Sequence, residues 1–287
     1  MAGRNRRLLF LLPLASLLFA ELMLPGGLIR RLFGTGSDDP GVSIVEERHD
    51  GSLRLFVTTT NCLDITITLS AQLQNMGASP AMPVTVETRG QRRLELAAFE
   101  RLDPGRPWDC RYTYRWNYGG RGGQPDGTVY LLPFEAKARH KLFQGYHGSF
   151  SHQAGSPNEY AHDWDLAVGS VVQAARDGVV VGVRQDSNAS GVGDRFRNSA
   201  NYVMIRHDDG TYAEYLHLKQ NGVLVHLGDQ VQAGQPIALS GNTGYTSGPH
   251  LHFAVFRAID GNTRETLPVK FKTKDGSIQT LEQGKTY

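Results

Sequence analysis

The chain reads as a succession of short segments in which apolar or β-branched residues alternate with polar ones. Between residues 42 and 133 the segments are Leu53–Thr60 and Asp64–Leu69, with Asn61-Cys62 between them, then Val84–Thr88 and Leu94–Phe99 around an Arg-Gly-Gln turn. Tyr112–Tyr118 is aromatic and alternating, and Tyr130–Pro133 closes the series. A period of two marks half-buried strands, and five or six of them at this spacing suggest a small β-sandwich. The second half continues with Tyr160–Leu166, Val179–Arg184, Tyr202–His207, Thr211–Leu216, Pro236–Leu239 and His250–Phe256, punctuated by Asp-Gly at 177–178 and 209–210 and Gly-Asn at 241–242. The expected fold is mainly β, with a sandwich-like domain at 42–133 and a second β domain at 134–287.

Residues 1–41 break this pattern. Arg4, Arg6 and Arg7 precede an apolar run from Leu8 to Ala20, which has signal-peptide length and is short for a bilayer span. Leu18 is a poor residue two positions before a cleavage point at Ala20, so residues 1–24 are either a signal peptide or a short anchor holding the chain to the inner membrane through residues 8–24. Residues 25–41, rich in Gly, Pro and Asp, read as a linker. Export bears on the two cysteines, Cys62 and Cys110, because an oxidising compartment favours a disulfide between them. The formal net charge of the 287 residues is +2, and without residues 1–24 the chain carries 27 basic against 27 acidic side chains. That balance speaks against a nucleic-acid partner.

The chemistry concentrates in the second half. Nine of the ten histidines lie between His140 and His252, and histidine is the commonest neutral metal ligand and general base. His250 and His252 are one residue apart on an expected strand, so both face the same side while Leu251 and Phe253 face the core. His217 ends the alternating stretch AEYLH. His152 precedes Asp163 by eleven residues, and His162 lies on the opposite strand face from Asp163.

Three stretches carry a resemblance: FSH followed by YAHDWDLAVGSVVQAARDGVVV, then NYVMIRHDDGTYAEYLHL, then GDQVQAGQPIALSGNTGYTSGPHLHFAVF. Residues from about 143 to 256 resemble the lysostaphin/LytM-type zinc metallopeptidases, which cut peptide cross-links of bacterial peptidoglycan. The resemblance implies an antiparallel β catalytic domain. It implies zinc held by His152, Asp163 and His252, with His217 and His250 as acid/base groups. The family usually places its Asp four residues after the first His; here QAGSPNEYA lengthens the gap. Asp165 competes with Asp163 because both lie on one strand face, although Asp163 keeps the family's distance to the AARDG turn, and His147 and His162 compete with His152. Two nitrogens and a carboxylate leave a fourth position open, the arrangement of catalytic zinc. Asn201 and Tyr146 are candidates for contact with substrate, while His49, His140, His207 and His226 read as structural or surface residues.

The implied protein is a periplasmic or cell-envelope zinc endopeptidase acting on peptidoglycan stem peptides, with a D-alanine to diaminopimelate cross-link as the expected bond and a glycine bridge as the alternative. Two further readings compete. A catalytically silent relative would bind the wall or activate another hydrolase. A biotin- or lipoate-type carrier domain would share the V-x-x-G-Q-x-I hairpin, but it needs a lysine at a hairpin tip, where this chain has Asn242-Thr243.

Overall fold

A computed structural model describes residues 28–31 and 41–287. The expected signal or anchor at 1–24 lies outside the described residues, as does most of the expected linker. Part of that linker is a strand, β1 (Leu28–Arg31), whose backbone runs parallel to a strand of the following domain.

Residues 42–118, together with β1, form two four-stranded sheets. The strands are β2 (Val42–His49), β3 (Ser52–Thr59), β4 (Ile65–Gln74), β5 (Met76–Ser79), β6 (Val84–Glu87), β7 (Arg93–Arg101) and β8 (Asp109–Tyr118). One sheet has the order β1-β8-β4-β6 and the other β2-β3-β7-β5. Their inner faces meet in an apolar core that includes Leu53, Leu55, Val57, Ile65, Ile67, Phe99 and Trp116. In β3 the buried Leu53, Leu55 and Val57 alternate with Arg54 and Phe56, as a period of two requires. The sequence pattern missed β2 and β5. β2 lies at a sheet edge; Val42 and Ile44 pack on the core, but the strand continues as Glu46-Glu47-Arg48-His49, so its apolar alternation is too short to mark it.

Cys62 and Cys110 are buried and are not joined in the expected disulfide. Cys110 pairs with Leu73 near one end of β4, whereas Cys62 lies before Ile65 at the other end and bridges to Gly182 of the second domain. Eight residues of strand separate those ends, about 26 Å at the usual rise, against a Cα separation of about 7 Å that a disulfide tolerates.

The second domain holds β9 (Tyr130–Leu131), β10 (Leu142–Gln144), β11 (His162–Trp164), β12 (Val171–Gln173), β13 (Gly178–Arg184), β14 (Ser190–Gly191), β15 (Tyr202–Arg206) and β16 (Tyr212–Leu216). It continues with β17 (Leu218–Val223), β18 (Gln230–Val231), β19 (Pro236–Ser240), β20 (Gly244–Tyr245), β21 (Leu251–Ala258), β22 (Arg264–Thr266), β23 (Phe271–Lys272) and β24 (Ile278–Gln279). The main antiparallel sheet has the order β10-β11-β21-β16-β15-β13-β18, with β22 on β21. A second sheet, β12-β19-β17, the small β24-β23-β9 sheet and the two-stranded parallel β14-β20 pair complete the domain. The only helical turn among the described residues is a 3-10 turn at Asp194–Phe196.

Tyr130, Leu132 and Phe134 pack in the core of this second domain, and β9 pairs with β23. Tyr130–Pro133, expected as the last strand of the first domain, thus pair and pack with the second. An apolar dipeptide in a loop carries no mark of which sheet it will join.

The two faces of the main sheet divide the labour. Val203, Ile205, Ala213, Tyr215, Phe253 and Val255 point into the core. On the opposite face, Tyr202, Met204, Tyr212 and Phe256 pack with Leu63 and Tyr118 of the sandwich. The docking is also polar. Leu63 donates its amide to Val181 O at 2.7 Å, and Asp64 accepts from Arg206 Nη1 at 2.6 Å and from Tyr212 Oη at 3.1 Å. Gly261 sits where a Cβ would come within 2.1 Å of Arg115 O, so only glycine allows the β21–β22 turn to lie against β8.

Candidate metal centre and histidine cleft

The structure brings His152, Asp163 and His252 together, with one ligand atom from each within 4.8 Å of the others, and all three residues are buried. Asp163 and His252 are direct partners on the neighbouring strands β11 and β21. Asp163 Oδ1 lies 2.8 Å from His252 Nδ1, and Asp163 Oδ2 lies 3.3 Å from His152 Nε2. The intervening segment QAGSPNEYA, which links His152 to β11, is held by local turns, Ser156 N donating to Gln153 O at 3.0 Å and Gly155 N to Glu159 Oε2 at 2.9 Å.

Hydrogen bonds identify the nitrogen that each ring presents. A carbonyl only accepts, so His152 Nδ1 carries the proton it donates to Gly145 O at 3.2 Å. Its Nε2 is then a buried lone pair with no hydrogen-bond partner, aimed at a buried carboxylate. Two nitrogens and one carboxylate oxygen suit a divalent transition metal, and zinc fits this donor set.

Electrostatics separates these groups. Burial pushes His152 down to about 4. Burial would also lower His252, but its bond to Asp163 and the nearby Glu214 outweigh that and raise it to about 9. Asp163 is held down to about 2: burial opposes ionisation, and the histidines around it, His252 first, overcome that opposition.

His217 and His250 lie beside this centre, their ring centroids 4.4 Å apart, and they line a cleft of about 250 Å³ with Phe143, Tyr245 and His252. His217 Nδ1 donates to Thr243 O at 2.7 Å and His250 Nδ1 donates to Gly248 O at 2.8 Å. Each therefore keeps a free Nε2 lone pair. Burial lowers both, His217 to about 3, and the neighbouring imidazoles add to the shift. His217 reaches the cleft through a positive φ of 64° at the β16–β17 junction. Plain alternation would have sent it to the core face with Ala213 and Tyr215.

The other candidates go elsewhere. Asp165 is more than half exposed and accepts from Lys141 N, away from the centre. His147 is exposed beside Glu159. His162 is fully buried on the core face, stacked on Trp164 at 5.2 Å. Tyr146 is not brought to the cleft: its hydroxyl donates to Val269 O at 3.0 Å and its ring packs on His162. Asn201 is buried and saturated, accepting from Ser187 N and donating to Ser187 O and Leu218 O, so it braces the segments around His217 instead of facing substrate. His207 is buried against Tyr130, and His226 is exposed.

Three polar residues of the site escaped the sequence reading. Glu214 is buried, accepts from Arg264 at 2.7 and 2.8 Å with both oxygens, and lies 3.5 Å from His252 Nε2. Burial opposes its ionisation, but Arg264 holds it down to about 2. Gln144 Nε2 donates to Asp163 Oδ2 at 3.0 Å. The signal for Glu214 was present as a charge inside the apolar strand YAEYL, where an unpaired carboxylate would be costly.

Fold and site together define a β domain with a buried His/Asp/His group that could hold a metal ion, beside a pair of buried histidines. Residues 157–265 match the model of peptidase family M23. His152 lies just upstream of the matched segment. Over 91 residues the chain is 41% identical to peptidoglycan DD-endopeptidase ShyA of Vibrio cholerae, covering 32% of this chain and 18% of that protein. It is 33% identical over 120 residues to glycyl-glycine endopeptidase ALE-1 of Staphylococcus capitis, covering 42% and 30%. The solved catalytic domain of lysostaphin from Staphylococcus simulans is 26% identical over 45% of this chain and 87% of that one, with a TM-score of 0.31. The chain spans less than a third of the length of the curated relatives it matches.

Proposed function

We propose that the chain is a zinc metalloendopeptidase that hydrolyses peptide cross-links of peptidoglycan in the cell envelope, exported or anchored through residues 1–24. The observation that carries this reading is the unpartnered Nε2 of His152 facing Asp163 and His252, beside two histidines with free Nε2 atoms. His152, Asp163 and His252 would hold the ion, which supplies Lewis acidity toward the scissile carbonyl when bound.

The chain's own groups supply the proton transfers. His217 and His250 are neutral at pH 7 because burial and their mutual proximity disfavour charge. Two protons on the pair would set like charges about 4.4 Å apart, so the pair holds at most one. A lone pair at His217 or His250 Nε2 takes the proton of the attacking water, and the resulting imidazolium delivers it to the leaving amine. Before delivery, that cation also favours the developing oxyanion. Gln144 keeps Asp163 oriented, and Asn201 and Thr243 hold the backbone that aims His217.

For the bond, the D,D linkage from D-alanine to diaminopimelate is the preferred reading, in keeping with the name of the Vibrio relative. A glycine bridge would place the chain with the staphylococcal one. Digestion of purified peptidoglycan, with mass spectrometry of the products, tests both levels. The expected result is loss of cross-linked dimers that stops with chelator and returns with zinc. Cleavage indifferent to chelator would refute the metallopeptidase reading.

A further inference from the structure

A second and larger space adjoins the cleft. It measures about 470 Å³ and lies between the sandwich and the site-bearing face of the main sheet. Trp116, Tyr118 and Arg115 of β8 form one wall; Tyr202, Met204, Glu214 and Leu216 of the sheet form another. Arg197, Ala200, Leu216 and Arg264 line both this space and the cleft, so the two meet at these residues. Neither domain alone makes it.

Its charge is one-sided. Arg115, Arg184, Arg197 and Arg264 line it. The only carboxylate among its described lining residues is Glu214, whose two oxygens are both taken by Arg264. Asp186 and Asp194, the partners of Arg184 and Arg197, are largely exposed and do not line the space. Arg115 makes no ion pair among the described residues, although it is exposed at the cavity wall. Amide groups of Asn117, Asn198 and Asn262 add hydrogen-bonding capacity, and Trp116 and Tyr118 supply apolar surface. Guanidinium groups beside aromatic faces suit planar carboxylates, which arginine binds in bidentate fashion.

We infer that this space is an anion-recognition extension of the cleft, where the sandwich and the sheet together bind the carboxylates of an acidic peptide strand. The inference rests on the peptidase reading above and gives the sandwich a role in substrate selection. Peptidoglycan stem peptides carry such carboxylates, so the substrate strand would run from the histidines past Leu216 and Arg264 toward Arg115.

Two cross-linked peptides, identical except that one has its free carboxylates amidated, provide the test with the full-length chain. Steady-state kinetics are measured with the zinc-loaded protein, and calorimetric binding with the chelator-treated protein. The acidic peptide should bind about tenfold more tightly and show the lower KM, the size of effect that one charge-assisted bond confers. Arg115→Gln and Arg115→Glu should reduce that preference progressively, mostly through KM, while thermal melts verify folding. Equal binding of the two peptides by the unaltered protein would overturn the inference. So would Arg115 variants that keep the preference intact. A preference in binding without turnover of either peptide would support the extension and refute the peptidase reading instead.

Discussion

On the core face of the main sheet, His162 is enclosed by aromatic rings and His207 packs on Tyr130; over the opposite face, His152 and His252 are enclosed with carboxylates. His162 has Trp164 at 5.2 Å and Phe271 at 5.0 Å, and neither of its ring nitrogens has a hydrogen-bond partner. Burial drives it down to about 3, and His207, facing Tyr130, down to about 4. His252 is just as buried, yet Asp163 and Glu214 turn its shift upward. The difference teaches that burial alone makes a histidine a neutral core residue. A buried carboxylate within hydrogen-bond distance makes it a candidate for metal binding.

Removing groups from the carboxylate side should have the largest effect. His152→Ala, Asp163→Ala and His252→Ala should each abolish zinc retention and wall cleavage, whereas His162→Phe should retain both, because that ring contributes packing and no partnered nitrogen. Metal content and dimer loss measured together check this contrast. If His162→Phe lost zinc as well, the division between the faces would be broken.

Arg264→Met comes next. It leaves the buried Glu214 carboxylate without its cation, which should destabilise the fold by about 3–5 kcal/mol. Denaturant melts at neutral pH measure it, and recovery in a Glu214→Gln, Arg264→Met double variant would show that the stranded charge is the cause.

The core face predicts a pH effect. The value of His207 is about 4 in the folded protein and about 6.5 when unfolded. The unfolded state therefore binds the proton first as pH falls. The stability is present in full above about pH 6.5 and is lost progressively toward pH 4, amounting to ~3 kcal/mol at most. His207→Gln, which does not titrate, should flatten the stability curve between those limits by that amount, whatever its absolute level.

The smallest expected effect is that of Glu214→Gln on the metal. A carboxylate behind a ligating histidine fixes the ring and raises its basicity, and losing one weakens metal affinity by about 10–100-fold. Competition with a chelator of known affinity reads this directly. Unchanged affinity would confine Glu214 to holding Arg264.

Much of the site was legible because its spacing is local. His250 and His252 share a face through the strand period alone, and in the sandwich the alternation of β3 shows which side of the strand is buried. The edge strand β2 and the allegiance of Tyr130–Phe134 were not legible, since each depends on a partner distant in sequence. The first ligand illustrates the same limit. His147, His152 and His162 are equivalent as letters, and the fold separates them into an exposed residue, a site residue and a core residue.

By itself the sequence determined a β-rich chain with two units, a histidine-rich second half and a matched pair at His250 and His252, because periodicity and composition act over a few residues. Tertiary structure alone decided that Cys62 and Cys110 stay apart at opposite ends of β4, and that Asp163 faces the centre while Asp165 faces solvent. It also decided that His217 leaves the strand alternation through a positive φ, and that Glu214 and Arg264 meet behind His252. The physical reason is common to all of these. Burial, pairing and charge compensation are properties of neighbours brought together by the sheet, across gaps of tens of residues that no local pattern records.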